Sequence, residues 1–299
     1  MIFGRRRAYQ RKAAIATTDG FCSAHALVLR ANTEVIDPQL FPFFLHSDAF
    51  MHRAVDISVG SLSPTINWGT LKHQQFMLPP KDQQAKLAEL FWAMDEVVEK
   101  ELFLLNILKR STKNFFENRI NEAHDEEVFL SEVLIPKNEK STVPHTRSRY
   151  IGLEHIESGA LICNDFSDSS FAEAQCSCID EGDLCYSKLR PYLDKAFIAS
   201  FDAVSSTELL VYKTKGVSKE YVLHVFHSTS FVNYISGKGF GTKMPRVNHK
   251  IIGEFPIKII PNESDLLKAM AKFQDSEFKL NAKLQNSKSL QKSLINQIF

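Results

Sequence analysis

Apolar residues step by four and three through two long stretches of the chain. Leu87, Phe91, Met94, Val98, Leu102, Leu105 and Leu108 make one series. Leu266, Met270, Phe273, Leu280, Leu284, Leu290 and Leu294 make a second, less regular one. Such spacing draws one apolar stripe along a helix. Neither stretch holds Pro or Gly between about residues 81 and 125 or 262 and 299. Each therefore predicts an unbroken helix of ~40 residues, ~60 Å long at 1.5 Å per residue. The stripes are too narrow for a globular core and suit a two-helix coil. Elsewhere the period shortens. AFIASF (196–201) and ELLVYK (208–213) alternate and read as strands. VLIPKNEKSTVPHTR (133–147) is polar and Pro-containing, and reads as linker.

The chain repeats itself. FGRRRAYQRKAAIATTDGFCSAHALVL from Phe3 lies over YSKLRPYLDKAFIASFDAVSSTELLVY from Tyr186 at a constant offset of 183. Arg5 meets Lys188, Arg7 meets Arg190, Tyr9 meets Tyr192, Lys12 meets Lys195 and Ser23 meets Ser206. The match resumes at an offset of 181, where VGSLSPTINWGTLKHQQFMLPP from Val59 lies over FGTKMPRVNHKIIGEFPIKIIP from Phe240. A slip of two residues between the blocks is what a loop deletion leaves. The sequence thus predicts an α+β chain in five parts. These are a module over 1–80, a helix over 81–127, a linker over 128–147, a second module over 148–261 and a helix over 262–299. The second module has RYIGLEHIESGALI (149–162) and EGDLCYSKLRP (181–191) ahead of the repeat, and nothing before Met1-Ile2 matches them. The basic opening therefore reads as the middle of a folded domain whose front is not in this chain.

Charge sharpens the picture. The net charge is +1, but residues 5–12 carry five bases (Arg5, Arg6, Arg7, Arg11, Lys12) and no acid. Residues 81–127 carry eleven acids and seven bases. Only some surfaces are therefore built to meet an anion. No apolar run is long enough to span a membrane, and no apolar stretch of the signal-peptide kind opens the chain. Five cysteines (Cys22, Cys163, Cys176, Cys178, Cys185) without a secretion signal suggest free thiols, and their spacing does not suit zinc.

Arg and Lys around a tyrosine on a strand–loop unit suit a nucleic-acid backbone, and Arg can also fork onto guanine. The candidates are Arg5, Arg6, Arg7, Tyr9 and Lys12 in one copy and Lys188, Arg190, Tyr192 and Lys195 in the other. GSLSPTIN and GTKMPRVN form a second repeated constellation, with Ser61, Gly241, Thr242, Lys243 and Arg246 as further candidates. The bland readings are a solvated basic loop and a turn before a capped helix. Catalytic signals are poor. The chain has no phosphate-binding GxxxxGK[ST] loop, no Asn-Pro-Pro-aromatic motif and no partnered histidine. No chemistry, cofactor or metal is expected.

The order and duplication of YIGLEHIESG, GDLCYSKLRPYLDK, FDAVSSTELLV and GTKMPRVNHKIIGEFPIKIIP resemble the DNA-specificity subunit of type I restriction–modification enzymes. FGRRRAYQRK, GFCSAHALVLR and GSLSPTINWGTLKHQQFMLPPKDQQ match in the first half. The resemblance implies two mixed α/β target-recognition domains held apart by two long helices in an antiparallel coiled-coil spacer. It further implies a cytoplasmic complex in which each domain reads one half of a gapped double-stranded DNA site. Methyltransferase subunits would dock on the scaffold, and a motor–nuclease subunit would join them to cleave unmodified DNA. The ~60 Å helices suit a spacer role, since sites one DNA turn apart lie ~34 Å from each other. The shortened first domain departs from this pattern. The front could come from a separately encoded fragment, the chain could pair with a second copy of itself, or it could be a truncated remnant. An adaptor that binds the methyltransferase without reading DNA is the other class of reading.

Overall fold

The computed structural model describes residues 1–123, 126–241 and 243–299. They divide into two compact units, Met1–Ile107 with Ser276–Phe299, and Leu108–Asp275.

The first unit is built on a three-stranded antiparallel sheet in the order Ala13–Ala14, Ile2–Gly4, Ala26–Val28. Phe3 pairs with Ala13 on one side and Leu27 on the other. Its ring turns inward onto Phe50, 5.3 Å between centroids. Two short helices, Phe41–His46 and Asp48–Asp56, cover the sheet and bury Phe43, Phe44, Phe50 and Met51. Each such side chain contributes roughly 1.5–3 kcal/mol by leaving water. Ser47 separates the helices, its Oγ donating to Phe44 O (2.7 Å) and accepting from Phe50 N (3.2 Å). The long helix Lys81–Glu122 then packs Phe91 against Phe43, 5.1 Å between centroids.

Within this unit the helix Glu263–Ile298 runs antiparallel to the first, with Gln291 donating to Asp95 (3.3 Å) and Lys283 Nζ lying 3.4 Å from Glu101. Val98 and Leu105 meet Leu284 between them. Two positions differ from the predicted stripes. Glu101, rather than Leu102, is the fully covered residue between Val98 and Leu105, at 4% exposure. Leu290 points to solvent at 63%. The steps of three and four from Leu284 land on Ser287 and Gln291, both half-buried, so the seam there is polar.

The second unit holds two five-stranded sheets. One runs in the order Leu134–Lys137, Leu209–Thr214, Leu184–Ser187, Ala196–Ala199, Ile162–Cys163. The other runs Lys140–Ser141, Cys176–Ile179, Ala203–Ser205, Arg149–Ile151, Ser167–Asp168. Helices Lys219–Phe226 and Thr229–Lys238 cover the first sheet. Ser228 sits between them as Ser47 does, donating to Val225 O (2.7 Å) and accepting from Phe231 N (3.2 Å). Phe116 of the first long helix and Leu266 and Met270 of the second join this core. The two helices touch through Phe115 and Phe273, 5.2 Å between centroids.

The stretch 128–147, expected as linker, is folded into this unit. Glu127–Phe129 pairs with Pro256–Lys258, Leu130 and Val133 are buried in a one-turn helix, and Leu134–Lys137 forms an edge of the first sheet. An edge strand tolerates Pro136 because its outward side needs no ladder donor. Three well-spaced aliphatics outweigh the polar composition on which the linker reading rested.

Candidate nucleic-acid interface

In the first unit the strand Ile2–Gly4 leads into a three-residue turn, Ala8–Gln10, with Arg7 (φ 55°) and Arg11 (φ 51°) on either side. In the second unit Leu184–Ser187 leads into Pro191–Leu193, with Arg190 and Asp194 on either side, both at φ 51°. These are the non-Gly residues with positive φ among those described. They fall on the same two positions of the repeat. A side chain in this region costs roughly 1–2 kcal/mol, so neighbours must hold each turn. Gly4 N donates to Lys12 O (2.8 Å) and Ser187 N to Lys195 O (2.9 Å). The matching groups fill the same places in both.

The second constellation docks on the first. Gly60 (φ 110°) and Gly241 (φ 98°) permit tight loops, closed by the pairs Val59↔Thr65 and Phe240↔Arg246. Arg6↔Thr65 and Leu189↔Arg246 join loop to turn. Ala8 N donates to Pro64 O (3.2 Å), and Arg190 N to Pro245 O (2.8 Å). Two motifs far apart in sequence therefore sit side by side in each unit.

The candidate side chains sort into two groups. Arg7, Lys12, Ser61, Arg190 and Lys243 are exposed, and Lys188 is half-buried. None of the five cations among them has a side-chain ion pair with a described residue. Tyr9 and Tyr192 project from the turns at 55% and 51% exposure. The others are held by the fold. Arg6 donates from Nε to Ser63 Oγ (2.9 Å), and its Nη1 lies 3.4 Å from His25 Nε2. Arg5 has its Nε buried without a hydrogen-bond partner. Lys195 donates its ammonium to Leu153 O (2.6 Å), and Arg246 pairs with Glu208 (3.2 Å). Gly241 acts through its backbone. Thr242 lies outside the described residues.

Of the anchors beneath the turns, the charge pattern of the sequence points only to Arg11, as one of the five bases of residues 5–12. In the first unit Arg11 pairs with Asp48 at 2.5 Å, and Asn296 Nδ2 donates to the same carboxylate (2.7 Å). Arg11's hydrogen bond holds the Asp48 carboxyl below its ordinary range, against some desolvation. In the second unit Asp194 lies between His227 (2.7 Å) and Lys113 (3.2 Å). Burial pushes the Asp194 carboxyl up, but the hydrogen bond and charge from His227, with Lys113, outweigh it and hold it low. Among the other anchors only His227 had a signal, in His46-Ser47-x-x-Phe50 over His227-Ser228-x-x-Phe231, which extends the repeat between the two blocks.

Neither turn includes a nucleophile–base pair, and no cluster of metal-ligating side chains occurs among the described residues. The arrangement presents a rigid basic loop with an exposed aromatic tip, which suits contact with a polyanion.

No protein-family model matches the chain. One curated relative is 30% identical over 80 residues, the Escherichia coli type I restriction enzyme EcoDI specificity subunit; the match spans 27% of this chain and 18% of that subunit. In structure, a chain from the assembly and conformational transition of a type I R-M system matches with TM-score 0.62 at 16% identity. That match covers 99% of this chain and 79% of the other. The type I restriction–modification S subunit of M. genitalium matches with TM-score 0.51 at 12% identity, over 88% of this chain and 73% of the other. Duplicated units, paired long helices and these likenesses agree: the chain has the fold of the type I restriction–modification specificity subunits, which it also resembles in sequence.

Proposed function

We propose that this chain is a non-catalytic DNA-recognition subunit of a cytoplasmic type I restriction–modification complex. It directs adenine methylation, and cleavage of unmodified DNA, to a bipartite gapped site. Each unit reads one part of double-stranded DNA, and the paired helices serve as spacer and as docking face for the methyltransferase subunits. A motor–nuclease subunit completes the assembly.

The observation that carries this reading is the duplicated turn. Arg7 and Tyr9 recur as Arg190 and Tyr192, each arginine left-handed and each tyrosine in the turn that follows it, beside the same Gly–Pro loop. A solvated loop has no reason to keep a strained backbone twice with an arginine and a tyrosine at matching points. Residues common to both copies contact the phosphates that every site shares. Residues that differ, Leu62 against Lys243 and Ser63 against Met244, are placed to tell the half-sites apart.

The test is to co-express the chain with a cognate methyltransferase subunit and map N6-methyladenine across the genome by single-molecule sequencing. A two-part gapped motif is the expected result. Binding to the methyltransferase without any methylation would instead favour an adaptor or a remnant.

A further inference from the structure

One face of the first unit is bare where the second is covered. In the second unit Leu134–Lys137 lies along the outer side of Leu209–Thr214, from Val211↔Lys137 to Thr214↔Leu134. Just before it, Leu130 and Val133 enter the core and Glu127–Phe129 pairs with Pro256–Lys258. On the far side Ala196–Ala199 carries Ile162–Cys163. The equivalent strands of the first unit, Ala26–Val28 and Ala13–Ala14, are the two edges of its sheet. Residues 75–77, which match 256–258, belong to no strand. Val28 is accordingly 56% exposed where Val211 is 1% exposed, and Phe21 is fully exposed where Val204 is wholly buried.

Beside the Val28 edge lies an apolar cleft of about 420 Å³, lined among others by Phe41, Phe44, Trp68, Leu71 and Phe76. Trp68 is half exposed there. A free strand edge next to an aromatic-lined cleft is the surface that takes an added strand with anchoring side chains.

We propose that this face binds a polypeptide segment from outside the 299 residues, with the pattern of residues 127–137. It comprises a short strand, a turn that inserts aliphatic side chains as Leu130, Val133 and Leu134 do, and a strand antiparallel to residues 28–31, which match 211–214. A second copy is a poor donor, because its own Glu127–Phe129 and Leu134–Lys137 are already paired with Pro256–Lys258 and Leu209–Thr214, and its Leu130, Val133 and Leu134 are built into its own core. The cleft also sets one requirement. Lys72 stands where the second unit has Gly253, and a Cβ at Gly253 would lie 3.0 Å from Ser131 Cβ. The segment therefore carries glycine at the position of Ser131. The inference rests on the duplication alone and not on the DNA reading.

The probe is a synthetic peptide of residues 126–138 carrying Ser131→Gly, titrated into the full chain. Saturable one-to-one binding by about 1 mM, near −4 kcal/mol, is expected. Trp68 emission should shift to the blue, and amides 26–31 should gain protection from hydrogen exchange. A chain with Trp68→Phe should lose the emission signal while calorimetry still registers binding. A peptide with Leu130→Asp and Leu134→Asp should not bind. No saturation, or equal binding of the Asp peptide, would overturn the proposal. So would a concentration-dependent dimer in sedimentation that protects the same amides without peptide, which would make a second copy the occupant. DNA affinity enters none of these readouts, so failure here and failure of the DNA reading stay separate.

Discussion

Arg190 and Asp194 bracket one three-residue turn, both in the left-handed region at φ 51°. Asp194 is fixed by His227 and Lys113, whereas the exposed Arg190 has no ion pair among the described residues. One end of the turn is an anchor, and the other carries a free cation at a strained backbone position. Arg190→Gly relieves roughly 1 kcal/mol of left-handed strain, so its melting temperature should hold or rise. On the proposed DNA reading the same change removes one phosphate contact, and it should then flatten the slope of log K against log salt by ~0.9. Fluorescence anisotropy at four or more salt concentrations, beside a thermal melt, checks both. An unchanged slope would take Arg190 out of the interface.

Lys195 should behave in the opposite way. Its ammonium is spent on the Leu153 carbonyl at 2.6 Å, in a half-buried position. Hydrogen bonds to charged groups are worth about 1.5–3 kcal/mol. Lys195→Met should therefore lower unfolding stability by about that much in urea and leave the salt slope of DNA binding where it was. A flattened slope with unchanged stability would return Lys195 to the list of phosphate contacts.

Acid should weaken the second unit through His224. Burial, with the neighbouring His227, pulls its pKa down to about 4. Gln274 Nε2 lies 3.0 Å from its Nε2 and donates to the neutral ring, which packs 5.3 Å from Phe116. In the unfolded chain the ring takes a proton near pH 6.5. Between pH 6.5 and about 4 the unfolded state thus binds the extra proton, and stability falls as pH falls through that window. The loss reaches about 3 kcal/mol at the low end. His224→Gln keeps an acceptor for Gln274 and should remove that part of the pH dependence. Parallel curves for the two proteins in urea titrations at pH 7 and pH 4.5 would contradict the assignment.

Much of this architecture could be read from the sequence because it repeats. The offsets of 183 and 181 placed Arg7 on Arg190 and Gly60 on Gly241, and the helical periods placed both long helices. Three things were hidden for physical reasons. The fold of residues 128–147 rests on Leu130, Val133 and Leu134, too few apolar positions to set a period against a polar background. The commitment of Lys195 to Leu153 is a long-range contact to a backbone carbonyl, which no side-chain pattern announces. The anchoring of the turns by Asp48 and Asp194 uses one residue type at different repeat positions, Arg11 standing where Asp194 does, so alignment of the copies conceals it.

Glu101 offers the last test, on the helices themselves. It occupies a seam position between Val98 and Leu105, 4% exposed, with neither carboxylate oxygen hydrogen-bonded and Lys283 Nζ 3.4 Å away. The carboxylate is buried while Lys283 is 70% exposed, so the ammonium offsets little of the desolvation of Glu101, and an apolar replacement of similar size is expected to be neutral or stabilising. Glu101→Leu should therefore raise the denaturation midpoint. Lys283→Ala should lower it, because the carboxylate then stays buried without its partner charge. The role expected of the pair is register, in the way a single polar seam residue fixes alignment in other coils. The exposed stripe Leu90, Val97 and Leu104 on the same helix adds an alternative apolar surface, so a Leu at 101 gives the partner helix a second way to pack. Cross-linking of cysteines placed at Asp95 and Gln291, a pair in contact at 3.3 Å, reads the register directly. High yield with Glu101 and reduced yield with Glu101→Leu, at higher stability, is the expected outcome. Equal yields would mean that the leucine and isoleucine positions alone set the alignment.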